Sequence, residues 1–343
     1  MSPVSPFSVG EEPKRSRTHW FVGAAISLVV LLASAVAVVR LAGGPDDLSD
    51  VPGPMSSTST TAAPIASGSG TTRPTEGTPP DATRAVYTQC DPIEQNFPLP
   101  ARGCTLVSPP RIEGRLPAVV LLHGWNSTPS DVLASGRWAE AVVRNQLIVA
   151  APPGLLGGWN AGGCCGATTA AGIDDTTFLT ALVEQLRARP DVDPERVFVV
   201  GESNGGMMAY RLLCASAGLL AGAASVEGTS VAGCQPSEPI DLLHIHGTAD
   251  QVVPYGGGQS FSSWLLGVTF LPVPSSLDPL VASQGCGPSN ERTTGLVRST
   301  EWTSCAAGRR VRLVTIDGQP HSWPGAPVYD ATTEILRFFG IVT

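Results

Sequence analysis

The stretch VFVVGESNGGMMAYRLLC, Val197 to Cys214, decides how the chain is read. Its opening run VFVV is apolar and rich in β-branched residues, as in a strand buried on both faces. MMAYRLL, after the turn, reads as a helix. Between them Gly201-Glu202-Ser203-Asn204-Gly205 fits G-x-S-x-G. A five-residue match can arise by chance, and Ser203 could be only a small residue in a glycine-rich turn. The setting argues for more. A serine at so tight a strand-to-helix turn adopts a strained backbone, which small neighbours permit, and its hydroxyl projects above the C-terminal edge of the sheet. The helix N-terminus behind it favours negative charge.

A serine nucleophile needs a base, because its own hydroxyl is barely ionised at neutral pH. From residue 85 onward the histidines are His123, His244, His246 and His321. With the chain order serine, acid, histidine, His321 is the expected general base. It lies in DGQPHSWPG, a loop following the strand-like VRLVTI. Asp250 in HIHGTADQVVPY, just beyond LLHIH, is the expected orienting acid, with Asp278 the competing choice. AVVLLHGW ends a strand at His123-Gly124-Trp125, so the backbone N–H groups of Trp125 and Asn204 are the expected oxyanion donors. His123 is expected to support its loop, and His244 and His246, alternating along a strand, to pack and hydrogen-bond locally. Trp125, Trp159 and Trp323 adjoin these motifs and are candidate walls of an acyl or aromatic pocket, against the equally ready explanation of core packing.

Working outward, short apolar runs alternate with segments of helical period. AVVLL (118–122), LIVAA (147–151), VFVV (197–200), GAASV (222–226), LLHIH (242–246) and VRLVTI (311–316) read as strands. Asp174 to Arg189 reads as a helix opened by two acids that suit its dipole, and about Ala331 to Phe339 as a last helix with Asp330 as N-cap. This alternation predicts an α/β domain, from 85 to 343, built on a mostly parallel, doubly wound sheet with flanking helices.

Ahead of that domain, Lys14, Arg15 and Arg17 precede an unbroken apolar segment from Trp20 to Val39, with Asp46, Asp47 and Asp50 beyond. About 20 apolar residues suffice to span a bilayer, and the basic flank places residues 1–19 in the cytoplasm. A cleaved signal peptide ending near Ala35-Val36-Ala37 is the alternative; the anchor is favoured because the apolar run continues past that point. Residues 40–84, rich in Ser, Thr, Pro and Gly, read as a disordered linker. Both readings export the domain. Eight cysteines, all between Cys90 and Cys305, agree with disulfides rather than a metal site, since no C-x-x-C pair occurs. Proximity suggests Cys90 with Cys104, Cys286 with Cys305 and Cys214 with Cys234; Cys164 and Cys165 remain unassigned. A net charge of −8 without a clustered basic face in the domain argues against nucleic acid as a partner. A monomer is expected.

Several longer pieces now carry a resemblance: LLHGW, GWNAGGCCG (158–166), DDTTFL (174–179), VDPERVFVVGESNGGMMAYRL, HIHGTADQVVPYGG and HSWPG. In this order they resemble the secreted α/β-hydrolase esterases that include extracellular polyhydroxybutyrate depolymerases, feruloyl esterases and acetylxylan esterases. The resemblance implies an α/β-hydrolase fold, an ester substrate, no metal or organic cofactor, Ser203, Asp250 and His321 as the triad, and Trp125 and Asn204 at the oxyanion. Two departures stand out. Glu202 replaces the Met or Gln common before the nucleophile, with a solvent-facing side chain as the favoured expectation, and Gly318-Gln319-Pro320 precedes the histidine. The alternatives are a metal-dependent hydrolase with His244, His246 and Asp250 as ligands, and a non-catalytic cell-surface binding protein on the same fold.

Overall fold

A computed structural model describes residues 83–95, 99–231, 233 and 235–342. The expected cytoplasmic tail, apolar segment and nearly all of the linker lie outside these residues. No helix among the described residues is long and apolar enough to cross a membrane.

The sheet starts with β1 (Val86–Gln89) and β2 (Thr105–Ser108), followed by β3 (Leu116–Leu122) and β4 (Ile148–Ala151). Next come β5 (Val192–Glu202), β6 (Gly222–Val226) and β7 (Asp241–Gly247), and then β8 (Asn290–Thr294), β9 (Val297–Trp302) and β10 (Val311–Ile316). Their spatial order is β1-β2-β4-β3-β5-β6-β7-β10-β9-β8. The stretch from β4 to β10 is parallel throughout, and an antiparallel pair closes each edge. All six strands read from the sequence are the parallel ones. They are buried on both faces and so carry continuous apolar runs. The edge strands were not read. β8 is NERTT and exposed at every residue, so no buried face imposes a pattern on it.

Alternate side chains of β3 divide between two cores. Val119 and Leu121 meet the helices α1 (Pro129–Ser135), α2 (Trp138–Asn145) and the C-terminal α8 (Ala331–Phe338). Ala118, Val120 and Leu122 meet α4 (Asp175–Arg187), α5 (Asn204–Ser216) and α7 (Val273–Ser283); the short α3 (Gly166–Ala170) and α6 (Phe261–Leu265) complete the helices. This is the doubly wound α/β architecture expected. α4 is shorter than read because Asp174 is its N-cap, accepting from the Thr177 N–H, and α8 starts after Asp330 as expected.

Cys90–Cys104 and Cys286–Cys305 are paired as proximity suggested. The unassigned Cys164 and Cys165 are bonded to each other. Cys214 is disulfide-bonded as well, and the expected partner Cys234 lies outside the described residues.

A buried ion pair ties the first part of the domain to α4. Arg102 Nη1 lies 2.7 Å from Asp175 Oδ1, with side chains 2% and 0% exposed, and the guanidinium stacks 3.8 Å over the Phe178 ring. Burial pushes the Asp175 carboxyl up and the Arg102 guanidinium down, each opposed by the partner's charge. A guanidinium does not give up its proton in a protein, so the pair stays ionic. The other Asp175 oxygen accepts from the Asn160 N–H at 2.7 Å. Asp175 therefore anchors the loop that passes the site, which is a larger task than the helix-dipole role its position suggested.

Candidate active site

β5, β7 and β10 are parallel neighbours or near neighbours, so their C-terminal ends lie at one edge of the sheet. β5 turns there into α5. Ser203 sits at the turn with φ 54° and ψ −120°, a left-handed backbone that a side chain adopts only under strain. The surrounding glycines are dictated by contact: a Cβ on Gly201 would lie 2.1 Å from the Gly205 carbonyl oxygen, and one on Gly205 2.3 Å from that of Leu122.

The loop after β10 brings His321 over this serine. His321 Nε2 is 3.0 Å from Ser203 Oγ, and Nδ1 is 2.7 Å from Asp250 Oδ2. Asp250, in the loop after β7, accepts the Val252 and Val253 N–H groups on Oδ1, both at 2.8 Å. Burial alone would raise its pKa; hydrogen bonds from His246 and His321 outweigh burial and hold the carboxylate well below its ordinary range. The competing Asp278 is exposed within α7 rather than in a loop at a strand end. The structure thus brings together the three residues expected to act as nucleophile, base and acid.

Behind Asp250 runs a fully buried series. His246 Nε2 lies 2.8 Å from the Val253 carbonyl oxygen and 3.1 Å from Asp250 Oδ2. Both are acceptors, so Nε2 carries the proton and Nδ1 accepts from His244 Nε2–H at 3.1 Å. His244 Nδ1 in turn accepts the Tyr210 hydroxyl at 2.7 Å, and burial keeps His244 neutral by pushing its pKa well down. Every ring nitrogen of His244 and His246 is engaged, which fits the packing role expected of them and leaves no lone pair of either directed at a metal. Ligand-type atoms of Glu227, Asp250 and His321 also lie within 4.8 Å of one another. There too the Asp250 oxygens are filled, by two backbone and two imidazole donors.

On the other flank, β3 delivers His123, Gly124 and Trp125. A Cβ on Gly124 would stand 3.4 Å from Ser203 Cβ, so this loop packs directly against the serine. His123 is buried, with Nε2 accepting the Gly154 N–H at 2.9 Å and Nδ1 donating to the Gly124 carbonyl at 2.7 Å; it holds the loop, as expected. Asn204 is clamped by its side chain: Oδ1 accepts the Trp159 N–H at 2.7 Å and Nδ2 donates to the Trp159 carbonyl at 3.0 Å. Its backbone N–H, at the start of α5, is thereby fixed beside Ser203.

The tryptophan expectations need correction. Trp159 is 0% exposed and donates Nε1–H to the His123 carbonyl at 2.9 Å, so it is core and cannot line a pocket. Trp323 is half-buried, edge-on to Trp138, with Nε1–H donated to Thr332 Oγ1; it fastens the His321 loop to α8. Trp125 alone of the three is exposed, at 37%, lying against Gly166 directly after the Cys164–Cys165 bridge. Glu202 is also not a free surface group. It is half-buried, and burial raises its pKa against the pull of His321 and the Trp323 N–H.

Glu227, which the sequence reading passed over, follows β6 directly and is 0% exposed, with φ 57°. Its N–H donates to the Ile245 carbonyl of β7 at 2.8 Å. Its Oε2 is 3.5 Å from His321 Nδ1. Burial, with Asp250 and Glu202 adding to it, pushes this carboxyl up to about 9; the Ser322 N–H opposes the rise without completing a hydrogen bond. The folded protein therefore holds a proton that the unfolded chain, titrating near 4.5, releases. Stability from the neutral carboxyl is full below the unfolded value and is lost as pH rises through the folded one, by up to about 1.4 kcal/mol per pH unit. In Glu227→Gln that loss is expected to vanish: wild type should fall behind the variant steadily between roughly pH 5 and 9 in chemical denaturation. Parallel stability curves would show that Glu227 is charged in the fold.

The sheet, with a serine at its strand-to-helix elbow and an acid and a histidine on later strand ends, is the α/β-hydrolase fold. The phospholipase/carboxylesterase family matches residues 107–269. Feruloyl esterase B of Piromyces equi is 27% identical over 216 residues, which are 60% of this chain and 39% of that protein. A probable feruloyl esterase C of Aspergillus terreus is 33% identical over 231 residues, covering 63% of this chain and 75% of that one. The acetyl xylan esterase from Aspergillus awamori superposes with a TM-score of 0.52 at 16% identity, over 70% of this chain and 94% of its own, and so shares the fold. The chain belongs to the esterase family of α/β-hydrolases that includes the feruloyl esterases. It spans well under half the length of the Piromyces relative.

Proposed function

We propose that this protein is an exported serine esterase that hydrolyses carboxylic esters through an acyl-enzyme. The observation that carries the reading is the unbroken series Ser203 Oγ, His321 Nε2, His321 Nδ1, Asp250 Oδ2, with gaps of 3.0 and 2.7 Å. His321 takes the Ser203 proton as Oγ attacks the ester carbonyl, then returns it to the leaving alcohol. Water, activated by the same imidazole, releases the acid. Asp250 fixes the tautomer that leaves Nε2 free to accept and stabilises the imidazolium. The N–H groups of Trp125 and Asn204 receive the oxyanion, each worth roughly 2.7–4 kcal/mol in the transition state.

The names of the relatives support feruloyl or acetyl esters of polysaccharide as substrates, with the exposed Trp125 as the aromatic surface next to the serine. A polyester of the polyhydroxybutyrate type is the other substrate that the sequence resemblance suggests. Residues 20–39 hold the domain outside the membrane as an anchor or export it as a signal, and the disulfides suit that compartment. Turnover of methyl ferulate, an aryl acetate and hydroxybutyrate oligomers by the full chain tests the proposal. Hydrolysis of any of them that is lost in Ser203→Ala supports it. Inertness of the folded protein toward all three would count against it.

A further inference from the structure

The active-site imidazole faces two buried carboxyls where the mechanism uses one. Asp250 arrives from the strand on one side of the sheet's centre and Glu227 from the next strand over, and both reach the same nitrogen of His321, at 2.7 and 3.5 Å. The neighbouring strands β5, β6 and β7 deliver, in order, the serine, the second acid and the first acid. The positions are coupled through the backbone as well: the Ser203 N–H donates to the Val226 carbonyl at 2.7 Å, one residue before Glu227. A carboxyl so deeply buried, with neither oxygen completing a hydrogen bond among the described residues, is expensive to keep unless it has a task. Among the described residues Asp250, Glu202 and His321 are the titratable groups that face it, and His246 stands beyond Asp250.

We propose that Glu227 is a second positioning acid for His321, standing at the Nδ1 that Asp250 occupies and able to orient the imidazole when Asp250 is absent. This rests on the serine-esterase reading above. Burial, with the ionised Asp250 beside it adding to the effect, keeps Glu227 protonated. Removing Asp250 removes the repulsion. As pH rises, Glu227 then releases its proton to solvent more readily than in wild type and accepts Nδ1–H, and the Ser203 proton still passes to Nε2. The chemistry is unchanged; only the carboxylate that holds the ring differs.

The test is a double-mutant cycle on the full chain, following kcat/KM for an aryl acetate against pH. Loss of the only orienting acid of such a triad lowers kcat by roughly 10⁴-fold. Asp250→Ala is instead expected to remain within about 100-fold of wild type, with a pH profile displaced from that of wild type by the ionisation of Glu227. Adding Glu227→Gln to that variant is expected to remove that displacement and a further ~100-fold or more of activity, whereas Glu227→Gln alone lowers activity less than about tenfold. A purely structural Glu227 would give the same factor in both backgrounds and leave the pH profile unmoved, and either result overturns the proposal. So does a loss of about 10⁴-fold or more in Asp250→Ala alone, which is the loss expected of an only orienting acid. Should Asp250→Ala fail to fold, Asp250→Val, which fills the space without offering Nδ1 a donor, replaces it under the same criteria. If wild type itself shows no turnover and Ser203 takes no fluorophosphonate, the esterase reading has failed; an active wild type with additive losses defeats the second acid alone.

Discussion

Ser203→Ala is expected to lower kcat by about 10⁶-fold while near- and far-UV circular dichroism stay as in wild type. The magnitude follows from how the parts work together. Without Oγ there is no covalent intermediate, and His321 and Asp250 have nothing to deliver a proton from, so removing the serine costs nearly as much as removing all three. What survives is the effect of the oxyanion donors on attack by water. The fold is expected to persist because, among the described residues, Oγ hydrogen-bonds only to His321, and alanine keeps the Cβ that packs toward Gly124. Turnover retained within tenfold would remove Ser203 from the mechanism. A lost fold would mean that the hydroxyl is needed for structure, contrary to the contacts seen.

The second large effect is on stability. Asp175→Ala leaves Arg102 buried, with one of its hydrogen bonds gone and Nε and Nη2 already without a partner among the described residues. Breaking a buried pair by deleting one member destabilises by about 3–5 kcal/mol, because the remaining charge has no compensation. For a domain of this size that is a fall in melting temperature of roughly 6–20 °C. The same substitution frees the Asn160 N–H and slackens the loop through Trp159 that clamps Asn204, so activity of the folded fraction is expected to fall too. Replacing both partners by apolar residues of similar volume, Arg102→Met with Asp175→Leu, is expected to recover most of the stability and less of the activity. A melting temperature unchanged in Asp175→Ala would show that water or another group already neutralises Arg102.

How far the sequence disclosed this molecule depended on whether a residue's task is written in its neighbours. The elbow was legible because a buried strand, a serine and a helix in that order admit few other readings, and because Gly201 and Gly205 answer a close backbone approach that no other residue could satisfy. Asp250 and His321 were legible for a related reason: each lies just past a buried parallel strand, and parallel strands gather such loops at one edge. Glu227 stands at the same edge, yet a lone acid after GAASV carries no pattern of its own. Its burial, and with it most of its charge state, arises only when β5 and β7 close on either side, with Asp250 adding to the effect. Asp175 was legible as a helix-opening acid but not as a buried one, since its partner Arg102 lies 73 residues earlier. Trp159 looked like a pocket wall because it adjoins a glycine-rich motif; the fold instead turns the indole inward to the His123 carbonyl. The outermost strands β1 and β8 were silent because no residue of either is buried and so no face imposes a pattern.

The central claim is that Ser203 is an activated nucleophile, and labelling by a fluorophosphonate tests it most directly. The full chain, folded and oxidised, is treated with the reagent, and the adduct is located by peptide mass spectrometry. The geometry predicts one phosphonyl group per chain, on Ser203, absent from Ser203→Ala and from protein treated after denaturation. A folded chain that takes up no reagent, or takes it up on another residue, would contradict the account.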